Sequence, residues 1–290
     1  MYKKEVRDEV ISLYRSGLST SAISIKTGVS KRVVQRIKKS YEENNNVEKT
    51  NYNYDLSGCK WLIKNNKPGI IGVIGDLHQP FTNKKYLEFL IDTFKKWDVD
   101  TIVNIGDTVD LSTLSRHISE ADAYGVNDEL KMAKDNLKDF YNVFPYVKCC
   151  LGNHPQRLIQ RASDSGIPAV CIKSLEELFD IPNGWEIKET WTINNILFTH
   201  GTQFNSRNIL TTISSYTDKS ICVGHQHSLL GVVYNKNLFN KESFAMAVGC
   251  GIDENKYAFR YGKNNKMKPI LGCGIIINSE EAYAIRMKNI

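Results

Sequence analysis

Five of the six histidines in this chain lie in short blocks beside a glycine, an aspartate or an asparagine, and each block closes an apolar run. The run IIGVIGD (residues 70–76) ends at Asp76 and leads to His78. TIVNIGD (101–107) ends at Asp107, and YVKCCLGNH (146–154) at Asn153 and His154. NILFTHG (195–201) carries His200, and SICVGHQH (220–227) carries His225 and His227. Short runs rich in valine and isoleucine, bounded by glycine, read as buried strands. In open α/β sheets the C-terminal ends of such strands line the functional crevice. Histidines scattered through a core would not fall this way, so five strand ends are expected to deliver carboxylate, imidazole and carboxamide groups to one rim.

Between the first two runs Tyr86, Leu87, Phe89, Leu90, Ile91 and Phe94 mark a helix, and a second is expected around 129–140. Shorter helices are expected near 158–161, 169–178 and 207–215. Beyond Trp185 strands dominate: WEIKETW, NILFTHG, SICVGHQH, LLGVVY, FAMAVG, PILGCGIII and AYAIRM. A βαβ start predicts a parallel sheet and the strand-rich end predicts antiparallel additions, together an α/β/β/α sandwich of two packed sheets.

Mixed Asp, His and Asn ligands suit Mn, Fe or Zn better than Ca or a thiolate-bound metal. A carboxylate between two such ions can bridge them, and ions ~3.5–4 Å apart can orient a phosphate and activate water at neutral pH. The seven cysteines are odd in number and form no C-x-x-C pair, which points to buried reduced thiols rather than a zinc ribbon or disulfides. At 41% hydrophobic and 24% charged residues the chain is neither disordered, collagen-like nor a coiled-coil rod. No run of ~18 apolar residues exists to span a membrane. The start, MYKKEVRDEV, lacks a secretory core, so a cytoplasmic protein with no membrane partner is expected.

The net charge of +6 is unevenly placed. Residues 1–40 hold ten Lys and Arg against three Asp and Glu, so all the excess positive charge sits there. Such asymmetry suits a module that meets a polyanion. Val6, Val10, Ile11, Leu13 and Tyr14 outline one helix. Ser19 or Thr20 can cap a second, carrying Ala22, Ile23 and Ile25. After Gly28, Ser30 opens a third with Val33, Val34 and Ile37 on one face. The segment GLSTSAISIKTGVSKRVVQRIKK resembles the helix-turn-helix of resolvases, transposases and small regulators. On its third helix Lys31, Arg32, Gln35 and Arg36 lie off the apolar stripe, as DNA contacts would; a solvated basic face on a protein-binding bundle is the alternative. An Asn-rich stretch, 41–67, reads as a linker between this module (1–40) and the remainder (68–290).

The blocks GDLHQP (75–80), GDTVD (106–110), GNH (152–154), THG (199–201) and GHQH (224–227) occur in that order. With them the chain from about Ile70 to Met287 resembles the calcineurin-like metallophosphoesterases, and the text DTVDLSTLSRH, GNHPQRL and FAMAVGCG is most similar to phosphoesterases of phage genomes. For a phage-encoded chain the compartment would be the host cytoplasm. The resemblance implies a four-layer α/β/β/α sandwich and two divalent transition-metal ions, manganese foremost, with iron, zinc or nickel as alternatives. Asp76, His78 and His227 would hold the first, Asn153, His200 and His225 the second, and Asp107 would bridge them. His154 would stand beside the phosphate, as proton donor to the leaving oxygen or as stabiliser of charge.

Two departures matter. Pro155 stands where relatives often carry an acidic residue after the histidine, and GDTVDLS lacks the arginine of serine/threonine protein phosphatases. GHQH is shared with phosphodiesterase and nuclease branches. Around the ligands, Arg157 could reach a phosphate or form a surface salt bridge. His117 could line the cleft or face solvent, and Asp110 is expected to hydrogen-bond a ligand. Trp61, Trp97, Trp185 and Trp191 read as packing residues. The leading expectation is a metal-dependent phosphodiesterase acting on nucleic acid, DNA in particular. A phosphatase or phosphodiesterase of small molecules or proteins is the second. A DNA-binding regulator with a vestigial metal site is the third, and the complete ligand set weighs against it.

Overall fold

In the computed structural model, residues 4–15, 19–45, 54–116, 124–204, 210–211, 218–253 and 267–288 are described. The chain divides into two compact units, Met1–Asp55 and Leu56–Ile290.

The first unit contains three helices, α1 (Lys4–Arg15), α2 (Thr20–Thr27) and α3 (Lys31–Asn45). The Ser19 hydroxyl accepts from Ala22 N at 3.2 Å, so Ser19 rather than Thr20 caps α2. Val10, Ile23, Val29 and Val34 form the core, with Val6, Leu13, Tyr14, Val33 and Ile37 against it. Ile25, expected on the apolar face of α2, is instead 83% exposed. Two residues on from Ile23, it projects from nearly the opposite side of a helix with 3.6 residues per turn. Lys31, Arg32, Gln35 and Arg36 are all exposed on α3.

The expected linker is shorter at both ends. Helix α3 runs on to Asn45. On the far side a 3-10 turn, Lys60–Leu62, buries Trp61, whose Nε1 donates to Val143 O at 3.0 Å. Trp61 also packs on Phe94 and Phe144, with ring centroids 6.3 and 5.8 Å away. One indole among lysines and asparagines is enough to anchor a stretch whose composition reads as a loop.

The second unit holds eleven strands among the described residues: β1 (Ile70–Ile74), β2 (Thr101–Asn104), β3 (Val147–Cys150), β4 (Trp185–Lys188), β5 (Thr190–Ile193), β6 (Ile196–Thr199), β7 (Ser220–Val223), β8 (Leu230–Lys236), β9 (Glu242–Val248), β10 (Gly272–Ile277) and β11 (Glu281–Arg286). They form a six-stranded sheet, β11-β10-β1-β2-β3-β4, and a five-stranded sheet, β5-β6-β7-β9-β8. β1 to β4 run parallel, while β10 and β11 add antiparallel at the β1 side. In the second sheet β6, β7 and β9 are parallel, flanked by antiparallel β5 and β8.

The two sheets pack face to face through Ile71, Val73, Val103, Ile105 and Cys150 on one side and Trp191, Ile193, Phe198, Cys222, Phe244, Met246 and Val248 on the other. The period of two along a strand sends Ile221, Val223, Ala245 and Ala247 to the outer face, against Phe204 and Leu210. Helices α4 (Tyr86–Lys96), α5 (Val126–Val143), α6 (Arg157–Asp164) and α7 (Leu175–Phe179) complete the described elements. The architecture is thus the mixed α/β, two-sheet sandwich expected, with a small helical unit before it.

Two local expectations change. WEIKETW is two strands, not one: the chain leaves the first sheet after Lys188 and enters the second at Thr190. Each half has its own indole anchor, Trp185 Nε1 to Phe144 O at 2.7 Å and Trp191 Nε1 to Cys149 O at 3.1 Å. The helix expected over 169–178 is a 3-10 turn, Ala169–Cys171, followed by α7, because Ser174 and Glu177 form a capping box that starts a new helix. Of the helix expected at 207–215 only 210–211 are among the described residues, and these are helical. All seven cysteines are free, with Cys171 exposed and the other six buried. No helix among the described residues is long and apolar enough to cross a membrane.

Candidate metal centre

The ligand-bearing blocks all follow parallel strands. Asp76 and His78 follow β1, Asp107 and Asp110 follow β2, and Asn153 and His154 follow β3; His200 follows β6, and His225 and His227 follow β7. His78, Asp107 and His225 adopt left-handed backbone conformations, with φ of 50°, 44° and 64°. Non-glycine residues pay for this region and keep it only when neighbours hold them there. Here Leu77 N and His78 N both donate to Asp107 O, at 3.1 and 2.8 Å, so the first two turns are tied together. The glycines in the later blocks make room. A Cβ on Gly152 would lie 2.0 Å from Asp107 Oδ1, and one on Gly224 would lie 2.4 Å from Asp76 Oδ1.

The seven residues expected as ligands come together. His227 Nε2 lies 3.1 Å from Asp76 Oδ2 and 3.1 Å from His78 Nε2. His200 Nε2 lies 3.1 Å from Asp107 Oδ2 and 3.0 Å from Asn153 Oδ1. Asp107 Oδ2 is also 3.5 Å from His78 Nε2. Asp76, His78 and His227 offer ligand atoms within 4.8 Å of one another, and so do Asp107, His200 and His225. A third such group is His78, Asp107 and His154. Asp107 thus stands between the two halves of the site.

Asp76 and Asp107 are buried; Asp76 Oδ1 has no hydrogen-bond partner, and Asp107 Oδ2 makes no aligned hydrogen bond although His200 Nε2 lies 3.1 Å away. A buried carboxylate oxygen without a donor is costly. A cation among the convergent imidazoles would satisfy both, so the residues present fit a pair of divalent ions. Ionisation is arranged to match. Burial pushes the Asp107 carboxyl up, but the His200 and His154 imidazoles outweigh it and hold it well below the usual range. Asp76 is lowered in the same way, His200 and His227 prevailing over burial. Burial drives His78 down to about 4, leaving a neutral ring. His200 goes the other way, to about 9, because Asp107 and Asp76 overcome its burial.

His154 is held by Asp110, whose carboxylate does double service. Its Oδ1 lies 2.6 Å from His78 Nδ1 and 2.8 Å from His154 Nδ1. The contact to a ligand was expected; the grip on His154 was not, and it supplies what Pro155 cannot. The spacing of Asp107 and Asp110 within GDTVD was the available signal. Burial opposes its ionisation, but hydrogen bonds from His154 and His78 hold Asp110 well below the carboxylate range. Arg157 is turned towards the site rather than to a surface carboxylate among the described residues. Its Nη1 donates to Asp110 O at 2.9 Å, and its Nη2 lies 3.0 Å from His154 Nε2. His117 lies outside the described residues. Lys31, Arg32, Gln35 and Arg36 belong to the first unit, on the open face of α3.

A family model described as calcineurin-like phosphoesterase matches residues 70–263, a span that includes every one of these ligands. No curated protein matches the chain. Among solved structures, vacuolar protein sorting 29 from Cryptosporidium parvum is similar at 14% identity and a TM-score of 0.41, covering 76% of this chain and 93% of that one. YfcE, a phosphoesterase from E. coli, is similar at 15% identity and a TM-score of 0.38, covering 74% and 99%.

Proposed function

The chain belongs to the calcineurin-like phosphoesterase family, and on that footing we propose that its second unit is a dinuclear metal-dependent phosphodiesterase acting on nucleic acid, DNA foremost. The observation that carries the metal-dependent part is the pair of orphaned oxygens, Asp76 Oδ1 and Asp107 Oδ2, buried among convergent imidazoles. Asp76, His78 and His227 would hold one ion, Asn153, His200 and His225 the other, and Asp107 both. Two transition-metal ions, manganese foremost, with iron, zinc or nickel as alternatives, supply Lewis-acid polarisation of the phosphoryl group and a nucleophilic water at neutral pH.

The chain's own residues do the rest. Asp110 holds His154 through Nδ1 and so fixes the ring whose Nε2 would give a proton to the leaving oxygen. Arg157, now resting on His154 Nε2, is within reach of a phosphate oxygen at the same place. What supports the nucleic-acid substrate is the first unit: a three-helix core, an exposed row of Lys31, Arg32, Gln35 and Arg36, and all of the chain's excess positive charge.

The test is purified full-length protein with Mn²⁺, offered single- and double-stranded DNA, a nucleotide phosphodiester reporter and a phosphomonoester reporter. The expected result is chelator-sensitive cleavage of DNA and of the diester. Cleavage of the monoester alone overturns the diesterase reading, and full activity after exhaustive chelation overturns the metal centre.

A further inference from the structure

Helix α5 buries a stripe of residues, Glu129, Ala133, Leu137, Phe140 and Val143, and the first of them is a carboxylate. Glu129 is fully buried. Its oxygens accept from Ser112 N at 2.6 Å, Ser112 Oγ at 3.0 Å and Thr113 N at 3.0 Å. An apolar side chain at this place would extend the stripe without the desolvation a carboxylate suffers. All three donors belong to one turn, the one that begins where Asp110 ends.

That turn needs holding. Leu111 has a left-handed backbone, with φ of 51°. Helix α6 grips the residues on either side of Ser112 and Thr113 by their carbonyls. Arg161 Nε donates to Leu114 O at 2.8 Å, and its guanidinium also reaches Ser115 O. Arg157 Nη1 donates to Asp110 O. The segment 110–115 is thus clamped between two helices, by its amides from α5 and by its carbonyls from α6. At its head Asp110 serves both histidines: Oδ1 lies 2.6 Å from His78 Nδ1, and His154 Nδ1 lies 2.8 Å from that oxygen and 2.9 Å from the Asp110 carbonyl oxygen. Hydrogen bonds weaken steeply with misalignment, and a misplacement of about 1 Å at a reacting group can cost ~10²-fold.

We propose that Glu129 is a positioning residue for the reaction, setting the aim of His154 through the 110–115 turn without touching a metal ligand or the substrate. The inference rests on the proton-donor role proposed above for His154. A general acid matters most when the departing oxygen is a poor leaving group, so the readout is a ratio of rates.

The full chain, loaded with Mn²⁺, is assayed on the p-nitrophenyl and phenyl esters of thymidine 5′-phosphate, for the parent protein, His154→Ala and Glu129→Gln. His154→Ala should lose far more rate on the phenyl ester, within the ~10²–10⁴-fold range of a removed acid. Glu129→Gln keeps the shape but sets an amide group against backbone N–H donors. It should shift the same ratio in the same direction by about 10–100-fold, with metal content unchanged. Should Glu129→Gln fail to fold, Ser112→Ala, which removes only the hydroxyl bond, carries the test with a smaller shift of the same sign. An equal loss on both esters, or a loss of metal in step with activity, overturns the inference and leaves Glu129 a structural residue. Absence of the preference in His154→Ala itself overturns the donor role and the inference together.

Discussion

Asp107 stands between the two groups of candidate ligands. Its Oδ2 faces His200 Nε2 at 3.1 Å and His78 Nε2 at 3.5 Å, one imidazole from each ligand group. Asp107→Asn should therefore bind fewer than two ions per chain by elemental analysis and lose nearly all turnover; a full complement of metal would remove Asp107 from its bridging place. The same imidazoles give the chelated protein a pH signature. His200 is raised to about 9 by Asp107 and Asp76, against an unfolded value of about 6.5. Its contribution is complete below about pH 6.5 and is lost as pH rises through 9. His78 is lowered to about 4 by burial, so it penalises the fold as pH falls from about 6.5 towards 4. The thermal midpoint of chelated protein should accordingly peak near pH 6.5 and fall on both sides, and a midpoint that climbs from pH 7 to 9 would contradict this. At this scale the ligands were legible because each chemical group follows a glycine-punctuated strand. Asp110 on His154 and Glu129 under Ser112 were not, since both contacts join residues separated by turns whose paths the residues do not spell out.

Helix α3 carries the predictions about DNA. Lys31, Arg32 and Arg36 are exposed, whereas Val34 is buried with Val10, Ile23 and Val29. Replacing the three basic residues with Ala should spare the helical core and weaken DNA binding severalfold or more. It should also flatten the dependence of log affinity on log salt, because fewer counterions are released. Unchanged affinity and slope, measured by titration of labelled duplex, would make the first unit a protein-contact module. Elements were predicted best where periodicity was strong, as in β1, β2, α4 and α5. In WEIKETW two four-residue strands in different sheets abut with only Glu189 between them, and alternation carries no mark of a change of sheet. Across 169–178 apolar residues recur at helical spacing, while the capping box at Ser174 and Glu177 restarts the helix locally.

The two units predict separable behaviour. A chain starting at Asn51 retains Trp61 and the whole second unit, Leu56–Ile290. It should fold, hydrolyse a small phosphodiester at close to the full-length rate, and bind DNA much more weakly. A chain starting at Pro68, where composition alone would cut, lacks Trp61 and its bond to Val143 O. Loss of a buried Trp costs about 3–5 kcal/mol, so this shorter chain should melt at a distinctly lower temperature. Equal midpoints for the two would show that residues 51–67 are a linker after all. The candidate ligands, the class of architecture and the segregation of charge are readable along the chain, because strand periodicity, glycine punctuation and composition are local properties written residue by residue. It takes the folded chain to put Trp61 in the second unit, to make Glu189 a change of sheet, to set Asp110 against two histidines at once and to bring Glu129 against Ser112 and Thr113. Those are contacts between segments distant in the chain, chosen by packing and by the need to satisfy buried polar groups.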